Sequence, residues 1–306
     1  MIDVALLGTG GMMPMPDRFL SSMLLRINGR LIMTDCGEGT QVTLKMLGWG
    51  FKAIDTICFT HFHADHISGL PGMLLTIGNA GRTEPVKLIG PKGLERVVEG
   101  LRLIFPELPF KIEYIEIEDF TKIYDFGDFT LKANEGDHRI KCISYRFDIA
   151  RRGKFSIEKA TALGLPVKLW SELQKGITVE YNGNTYTSNM VLGNNRKGLS
   201  ISFCTDTRPV DSLVEFIKDS DLFVCEGMYG ENEKIAKAVE YKHMLFSEAA
   251  KLAKLGNVGE LWLTHLSPSM SEPEQFIDNA QSIFRNTKVG YDRMTTTLNF
   301  VSTLEE

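Results

Sequence analysis

Cysteine is scarce in this chain of 306 residues. The five that occur, Cys36, Cys58, Cys142, Cys204 and Cys225, are widely spaced and form no CxxC pair. An odd, scattered set excludes a disulfide framework and a thiolate metal knot. Runs such as Ile57-Cys58-Phe59, Phe203-Cys204 and Val224-Cys225 instead predict small core residues of a reduced, intracellular protein. Long apolar runs are also missing. None reaches the roughly 18 residues that cross a bilayer, so no membrane association is expected. Met1–Leu7 carries no basic n-region, which predicts a cytoplasmic rather than a secreted protein. Positive charge is not in excess: 34 Lys and Arg face 39 Asp and Glu, for a net charge of −5. A uniformly basic, nucleic-acid-coating surface is thereby excluded.

What is present is an ordinary globular composition, 43% hydrophobic and 24% charged. The length suffices to bury a core in one large domain or two. The charge is unevenly spread. Residues 139–175 hold nine basic side chains against three acidic ones, so this window is +6 and the remainder −11. Such a window reads either as a polyanion-facing segment or as a solvated helical surface.

The chain begins with an apolar strand, Ile2–Leu7, and a hairpin folding about Asn28-Gly29. Helical spacing follows over Glu38–Leu47, Leu70–Ile77 and Gly93–Leu103. Strands are expected at Ile54–Phe59, Lys87–Ile89, Lys111–Ile117, Phe129–Ala133 and Ile140–Phe147. Residues 150–198 change character, with the basic cluster, a helix at Ser156–Leu163, a break at Pro166 and a turn at Asn182-Gly183. They read as an inserted basic arm within a single domain spanning 1–306. Strands and helices alternate thereafter: Ser200–Thr205, Leu213–Lys218, Leu222–Cys225, a helix Ser247–Leu255 capped by its serine, Glu260–Thr264, and a helix Pro273–Phe284. The pattern predicts an α/β sandwich.

Only six histidines occur, and three of them crowd His61-x-His63-x-Asp65-His66 directly after an apolar strand. If that segment stays extended, His61, His63 and Asp65 project to one side. Imidazole and carboxylate suit Zn²⁺ and related divalent metals. Four donors in six residues exceed what one open catalytic ion needs, so the density implies two ions. Further donors close apolar runs and begin loops: His138, Asp206 and His265. The turn Gly8-Thr9-Gly10-Gly11 fails the GxGxxG pattern because position 13 is Met, so no dinucleotide site is expected. Met12, Met13 and Met15 are expected to pack.

Asp35, the His61/His63/Asp65/His66 cluster, His138, Asp206 and His265 resemble, in order, the motifs of the metallo-β-lactamase superfamily. The resemblance implies a four-layer αβ/βα metallo-β-lactamase sandwich with a dinuclear zinc site on one edge. It further implies that His61, His63 and His138 hold one ion, that Asp65, His66 and His265 hold the other, that Asp206 bridges them, and that Asp35 supports the ligand loop. Within the superfamily the chain resembles the ribonuclease Z family of tRNA 3′-processing endonucleases. Leu31–Gln41, His61–Gly69, Gly81–Gly93, Cys204–Pro209 and Leu263–Ser267 carry that likeness. Gly153-Lys154-Phe155 and the following residues resemble the start of its exosite arm. Departures fall at Pro14–Phe19, at Val167-Lys168-Leu169, at Gly227-Met228 and at Met244-Leu245.

The resemblance implies two Zn²⁺, with Mn²⁺ or another divalent metal as substitutes, precursor tRNA or another phosphodiester as substrate, and a homodimer. Metal-activated hydroxide would attack phosphorus to release the 3′ trailer, Asp65 would accept the water proton, and His243, oriented by Glu226, would protonate the leaving oxygen. An alternative function stays open from sequence: a phosphodiesterase of the same fold acting on a small substrate such as a cyclic nucleotide.

Overall fold

The computed structural model describes residues 1–105, 107–194 and 196–300. Position 106 and residues 301–306 of the expected 1–306 domain, and position 195 of the expected 150–198 arm, lie outside the described residues. The described residues group into two compact units: Met1–Asp148 with Ser200–Asn299, and Ile149–Leu199 with Phe300.

Two seven-stranded sheets form the first unit. One runs in the order Thr295–Leu298, Ile2–Gly8, Ser22–Ile27, Arg30–Thr34, Ile54–Cys58, Val86–Pro91, Ile112–Ile117. The other runs Thr287–Val289, Leu261–Thr264, Leu222–Glu226, Arg196–Cys204, Ile143–Arg151, Thr130–Glu135, Tyr124–Asp125. Along the central strands nearly every side chain is buried, as in Ile2–Gly8 and Leu222–Glu226. Strands covered on both faces carry continuous apolar runs rather than alternating ones. In the first sheet Ala5, Leu7, Leu24 and Met33 pack with Leu44, Met73, Leu74, Ile77 and Val98 from helices Thr40–Leu47, Leu70–Asn79 and Leu94–Arg102. In the second, Phe223, Cys225, Leu261 and Leu263 pack with Leu213, Ala249, Ala250 and Ala253 from helices Asp211–Phe216 and Phe246–Leu255. Tyr145 bridges the two sheets, its hydroxyl donating to the Phe59 carbonyl at 2.7 Å. The result is the mixed α/β architecture of two helix-flanked sheets that the motifs imply. All five cysteines are free and buried within it.

The second unit has its own small core of Ala160, Leu165, Leu173, Val179 and Val191. Ser156 caps helix Ile157–Ala162 by accepting from the Lys159 amide at 3.2 Å. The Asn182-Gly183 turn closes the hairpin Val179–Tyr181/Asn184–Tyr186 with both residues at positive φ, 49° and 79°, the geometry tight hairpins favour. Arg152, Lys154, Lys159, Lys168 and Lys175 are exposed. No described helix is long and apolar enough to cross a membrane.

Several local expectations need correcting. Helix Phe246–Leu255 is not capped by Ser247. Its N-cap is Leu245, whose amide donates to Glu248 at 2.9 Å, while the Ser247 hydroxyl donates to Asn232. Pro273–Phe284 is not one helix but a 3₁₀ turn, Pro273–Phe276, and a short helix, Asp278–Gln281. Residues 140–142 precede the strand rather than start it. Met12 and Met13 do not pack: they are exposed. Helices Val167–Lys175 and Ile235–Tyr241 and the strands Thr287–Val289 and Thr295–Leu298 were not foreseen from periodicity. The strands are short, and their pairing lies beyond local pattern: Thr295–Leu298 pairs with a strand nearly 300 positions away, Ile2 against Leu298, and Thr287–Val289 with Leu261–Leu263.

Candidate metal centre

The chemistry-bearing residues stand just past the carboxyl ends of strands. Asp35 follows Thr34, His61 follows the strand ending at Cys58, Asp206 follows the one ending at Cys204, and His265 follows Thr264 directly. Open α/β sheets place ligand sites at this edge. Three of these residues, Asp35, Asp206 and His265, adopt left-handed φ of 57°, 49° and 53°. That conformation costs an L-residue about 1–3 kcal/mol and concentrates at functional sites.

The His61–His66 segment does not stay extended. Backbone at His63 is extended, but Ala64–Ile67 form a helical turn. Asp65 and His66 therefore enter the site as neighbours on that turn, not by strand alternation. All six histidines nonetheless converge. Donor atoms of His61, His63, His138 and Asp206 lie within 4.8 Å of one another, and so do those of Asp65, His66 and His265. The Asp206 carboxylate faces both groups. Its Oδ1 lies 3.3 Å from His66 Nε2 and 3.3 Å from His265 Nε2. Its Oδ2 lies 3.6 Å from His61 Nε2 and 3.7 Å from His138 Nε2.

The outward ring nitrogens fix which atoms point inward. The His66 Nδ1–H donates to Asp35 Oδ2 at 2.8 Å, and the His138 Nδ1–H donates to the Lys242 carbonyl at 3.2 Å. Ser21 donates its only hydroxyl proton to the Gly10 carbonyl, so its oxygen accepts from His265 Nδ1–H at 2.7 Å. Thr60 likewise donates to Asp35 and accepts from His61 Nδ1–H at 3.0 Å. Each ring is thus held with its Nε2 toward Asp206, the arrangement of metal-ligating imidazoles oriented by outer partners. His63 differs, presenting Nδ1 at 3.0 Å from His61 Nε2 and 3.3 Å from His138 Nε2.

Two observations test whether a metal fits. His66 Nε2 and His265 Nε2 are buried with no hydrogen-bond partner among the described residues, a penalty that coordination removes. Burial also pushes His61, His63, His138 and His265 below the usual imidazole range, which keeps them neutral and able to ligate. Burial disfavours the Asp206 carboxylate too, but it stays well below the usual range through its charge interaction with His66, which Asp206 and Asp35 push well above the usual imidazole range despite burial. Cys142 lies 3.8 Å from His61 Nδ1. Burial raises its thiol well above the usual range, and it faces the outward nitrogen of His61 and the Thr205 carbonyl at 3.2 Å rather than the donor cluster. The His/Asp cluster is a site for divalent metal.

Beside it stands the predicted pair: His243 Nδ1 lies 3.0 Å from Glu226 Oε2. Burial disfavours the imidazolium, but the charge and hydrogen bond of Glu226 prevail and push His243 up to about 9. Sequence reasoning missed several supports. The Met12 amide donates to Asp65 Oδ2 at 2.8 Å. A Cβ at Gly11 would come within 2.6 Å of His265 Nε2, so only glycine lets the turn approach so closely. Arg208 holds the His243 loop, donating to the His243 carbonyl and, through two nitrogens, to Glu248. Thr60 and Arg208 adjoin the two ligand motifs and could have been suspected on that ground, whereas Ser21 gave no signal.

Comparison with known proteins bears on the family and the fold. A family described as "Anti-Pycsar protein Apyc1" matches residues 2–151. Ribonuclease Z of Clostridium acetobutylicum is 53% identical over 306 residues, covering 98% of this chain and 99% of the relative. Ribonuclease Z of Clostridium kluyveri is 54% identical over 301 residues, with the same coverage. Among solved structures, human tRNase Z, short form, superposes with a TM-score of 0.70 at 24% identity, covering 97% of this chain and 99% of that one. The metallo-β-lactamase fold protein YhfI of Bacillus subtilis gives 0.68 at 17% identity, covering 96% and 98%. With full-length identity above one half and the two-sheet fold in common, this chain belongs to the ribonuclease Z family, metal-dependent endoribonucleases of the metallo-β-lactamase fold.

Proposed function

We propose that the protein removes the 3′ trailer from precursor tRNA, cutting one phosphodiester bond at a centre of two divalent ions, for which zinc best matches the donors. The observation that carries this is the Asp206 carboxylate, one oxygen toward each donor group, with the Glu226–His243 pair alongside. Bound there, a pair of divalent cations would activate water near neutral pH and offset charge on the phosphoryl oxygens. In this reading His61, His63 and His138 would hold one ion and Asp65, His66 and His265 the other, with Asp206 available to both.

The chain's own groups do the rest. Asp65, tethered through one oxygen by the Met12 amide, accepts the proton of the attacking water with its remaining lone pairs. His243, protonated on both nitrogens, keeps Nδ1–H on Glu226 and offers Nε2–H to the leaving 3′-oxygen. The products carry a 3′-hydroxyl and a 5′-phosphate. Cytoplasmic action and a homodimer belong to the same proposal and rest on the family likeness.

The test is a precursor tRNA with a short 3′ trailer, incubated with metal-loaded protein. A single cut at the start of the trailer is the expected outcome. Turnover of bis(p-nitrophenyl) phosphate or a cyclic nucleotide with the precursor left intact would establish the small-substrate alternative instead. A second expectation concerns the arm. If Lys154, Lys168 and Lys175 contact phosphates, replacing them with Ala lowers kcat/KM on precursor tRNA more than on the small diester. The slope of log kcat/KM against log salt becomes shallower by about 0.7–0.9 per lost phosphate contact. Equal losses on both substrates, with an unchanged slope, would remove the arm from substrate binding.

A further inference from the structure

The metal centre opens into a pocket of about 360 Å³, at the small end of ligand sites and large enough for little more than one nucleotide unit. One side of it carries metal donors. The other is built by the segment that leaves the sheet after Glu226 and returns at His243. Tyr229 follows the strand Leu222–Glu226, and Tyr241 ends the helix Ile235–Tyr241. The Arg139 guanidinium lies 5.0 Å from the centre of the Tyr241 ring and donates to the Glu240 carbonyl at 3.2 Å. Arg139 is thereby fixed at the carboxyl end of that helix, where a cation is favoured. Lys242, at a left-handed φ of 63°, turns the chain between Tyr241 and His243, and its ammonium pairs with Asp137 at 2.9 Å. Tyr241 and Arg139 remain exposed although nothing in the metal chemistry requires them.

Planar, exposed aromatic and guanidinium surfaces are what proteins use to hold unpaired bases. The geometry points to a base-stacking subsite formed by Tyr241 and Arg139, with Tyr229 as its floor, that takes a single unpaired nucleobase. Its side of the pocket decides which nucleotide of the substrate stacks there. This step rests on the proposed tRNA-trailer reading, in which His243 protonates the leaving 3′-oxygen. Tyr241 lies two residues from His243 on the same wall, so the stacked base belongs to the nucleotide that keeps that oxygen, on the 5′ side of the cut. The subsite holds that ribose where its 3′-oxygen reaches His243, and it is sequence-tolerant because every base offers a π face.

The experiment pairs enzyme and substrate changes. Wild type, Tyr241→Ala and Tyr241→Phe are assayed on precursor tRNA carrying either a normal or an abasic nucleotide 5′ to the cleavage site. Tyr241→Ala is expected to lower kcat/KM on the normal precursor by about 5- to 100-fold. It should lower it by less than about twofold on the abasic one, while Tyr241→Phe keeps the stack and stays near wild type. Arg139→Ala should show the same dependence on the base, to a smaller extent. Equal loss on both substrates overturns the subsite while leaving the tRNA-trailer reading intact. Failure of wild type to cut the normal precursor overturns that reading, and the subsite with it.

Discussion

Asp206→Asn is expected to lower kcat by about 10³-fold or more and to leave the protein with about one divalent ion per chain at metal concentrations that saturate both wild-type sites. The magnitude follows from where the two oxygens stand. One faces His66 and His265, the other His61 and His138, at 3.3–3.7 Å. An amide offers a single neutral acceptor oxygen and, on its other arm, an N–H₂ that points at lone pairs. Removing an outer-shell partner of a metal ligand costs about 10- to 100-fold, so loss of the shared anionic donor should exceed that range. The measurements are metal content after dialysis and single-turnover cleavage of precursor tRNA. Two retained ions with activity within tenfold of wild type would show that Asp206 does not bridge.

His243→Ala is expected to reduce kcat on precursor tRNA by about 10²–10⁴-fold, the usual contribution of a positioned general acid. The loss should be far smaller on bis(p-nitrophenyl) phosphate, whose phenolate leaves without a proton. The pH profile gives the sign. His243 is pushed up to about 9 by Glu226, so it is protonated at neutral pH and the rate falls as pH rises through its pKa. Substituting Glu226→Gln keeps an acceptor for Nδ1–H but removes the charge that raises His243. The alkaline limb should therefore move to lower pH in Glu226→Gln and disappear in His243→Ala. An unchanged alkaline limb in His243→Ala would assign it to another group.

Much of this was legible in the chain itself. The His61–His66 cluster is dense in donors and follows an apolar strand, so its chemistry is written locally. Likewise the Asn28-Gly29 and Asn182-Gly183 turns carry their conformational requirement in their own residue types, and both form as expected with positive φ. The helix Ser247–Leu255 was legible in its apolar face but not in its start. Capping there is decided by the chain's return from His243 and by Glu248, not by the nearest serine. The i, i+2, i+4 argument for His61, His63 and Asp65 picked out residues that the fold does bring into one cluster, but by a different geometry, because a helical turn at Ala64–Ile67 intervenes.

The sequence by itself determined which donors the protein has and, through their order along the chain, which family it belongs to. Residue type and local spacing suffice for that, since imidazole and carboxylate have fixed chemistry. Tertiary structure alone decided how those donors are presented. Ser21, Thr60, Asp35 and the Lys242 carbonyl come from four separate segments, yet together they set the tautomers of four imidazoles. A ring's second nitrogen is controlled by whatever the fold places behind it, and no pattern within a few residues of a histidine records that partner. The same holds for Asp206, a single aspartate in sequence. It comes to face both donor groups only because the loops after strands Ile54–Cys58, Arg196–Cys204 and Leu261–Thr264 end on the same edge.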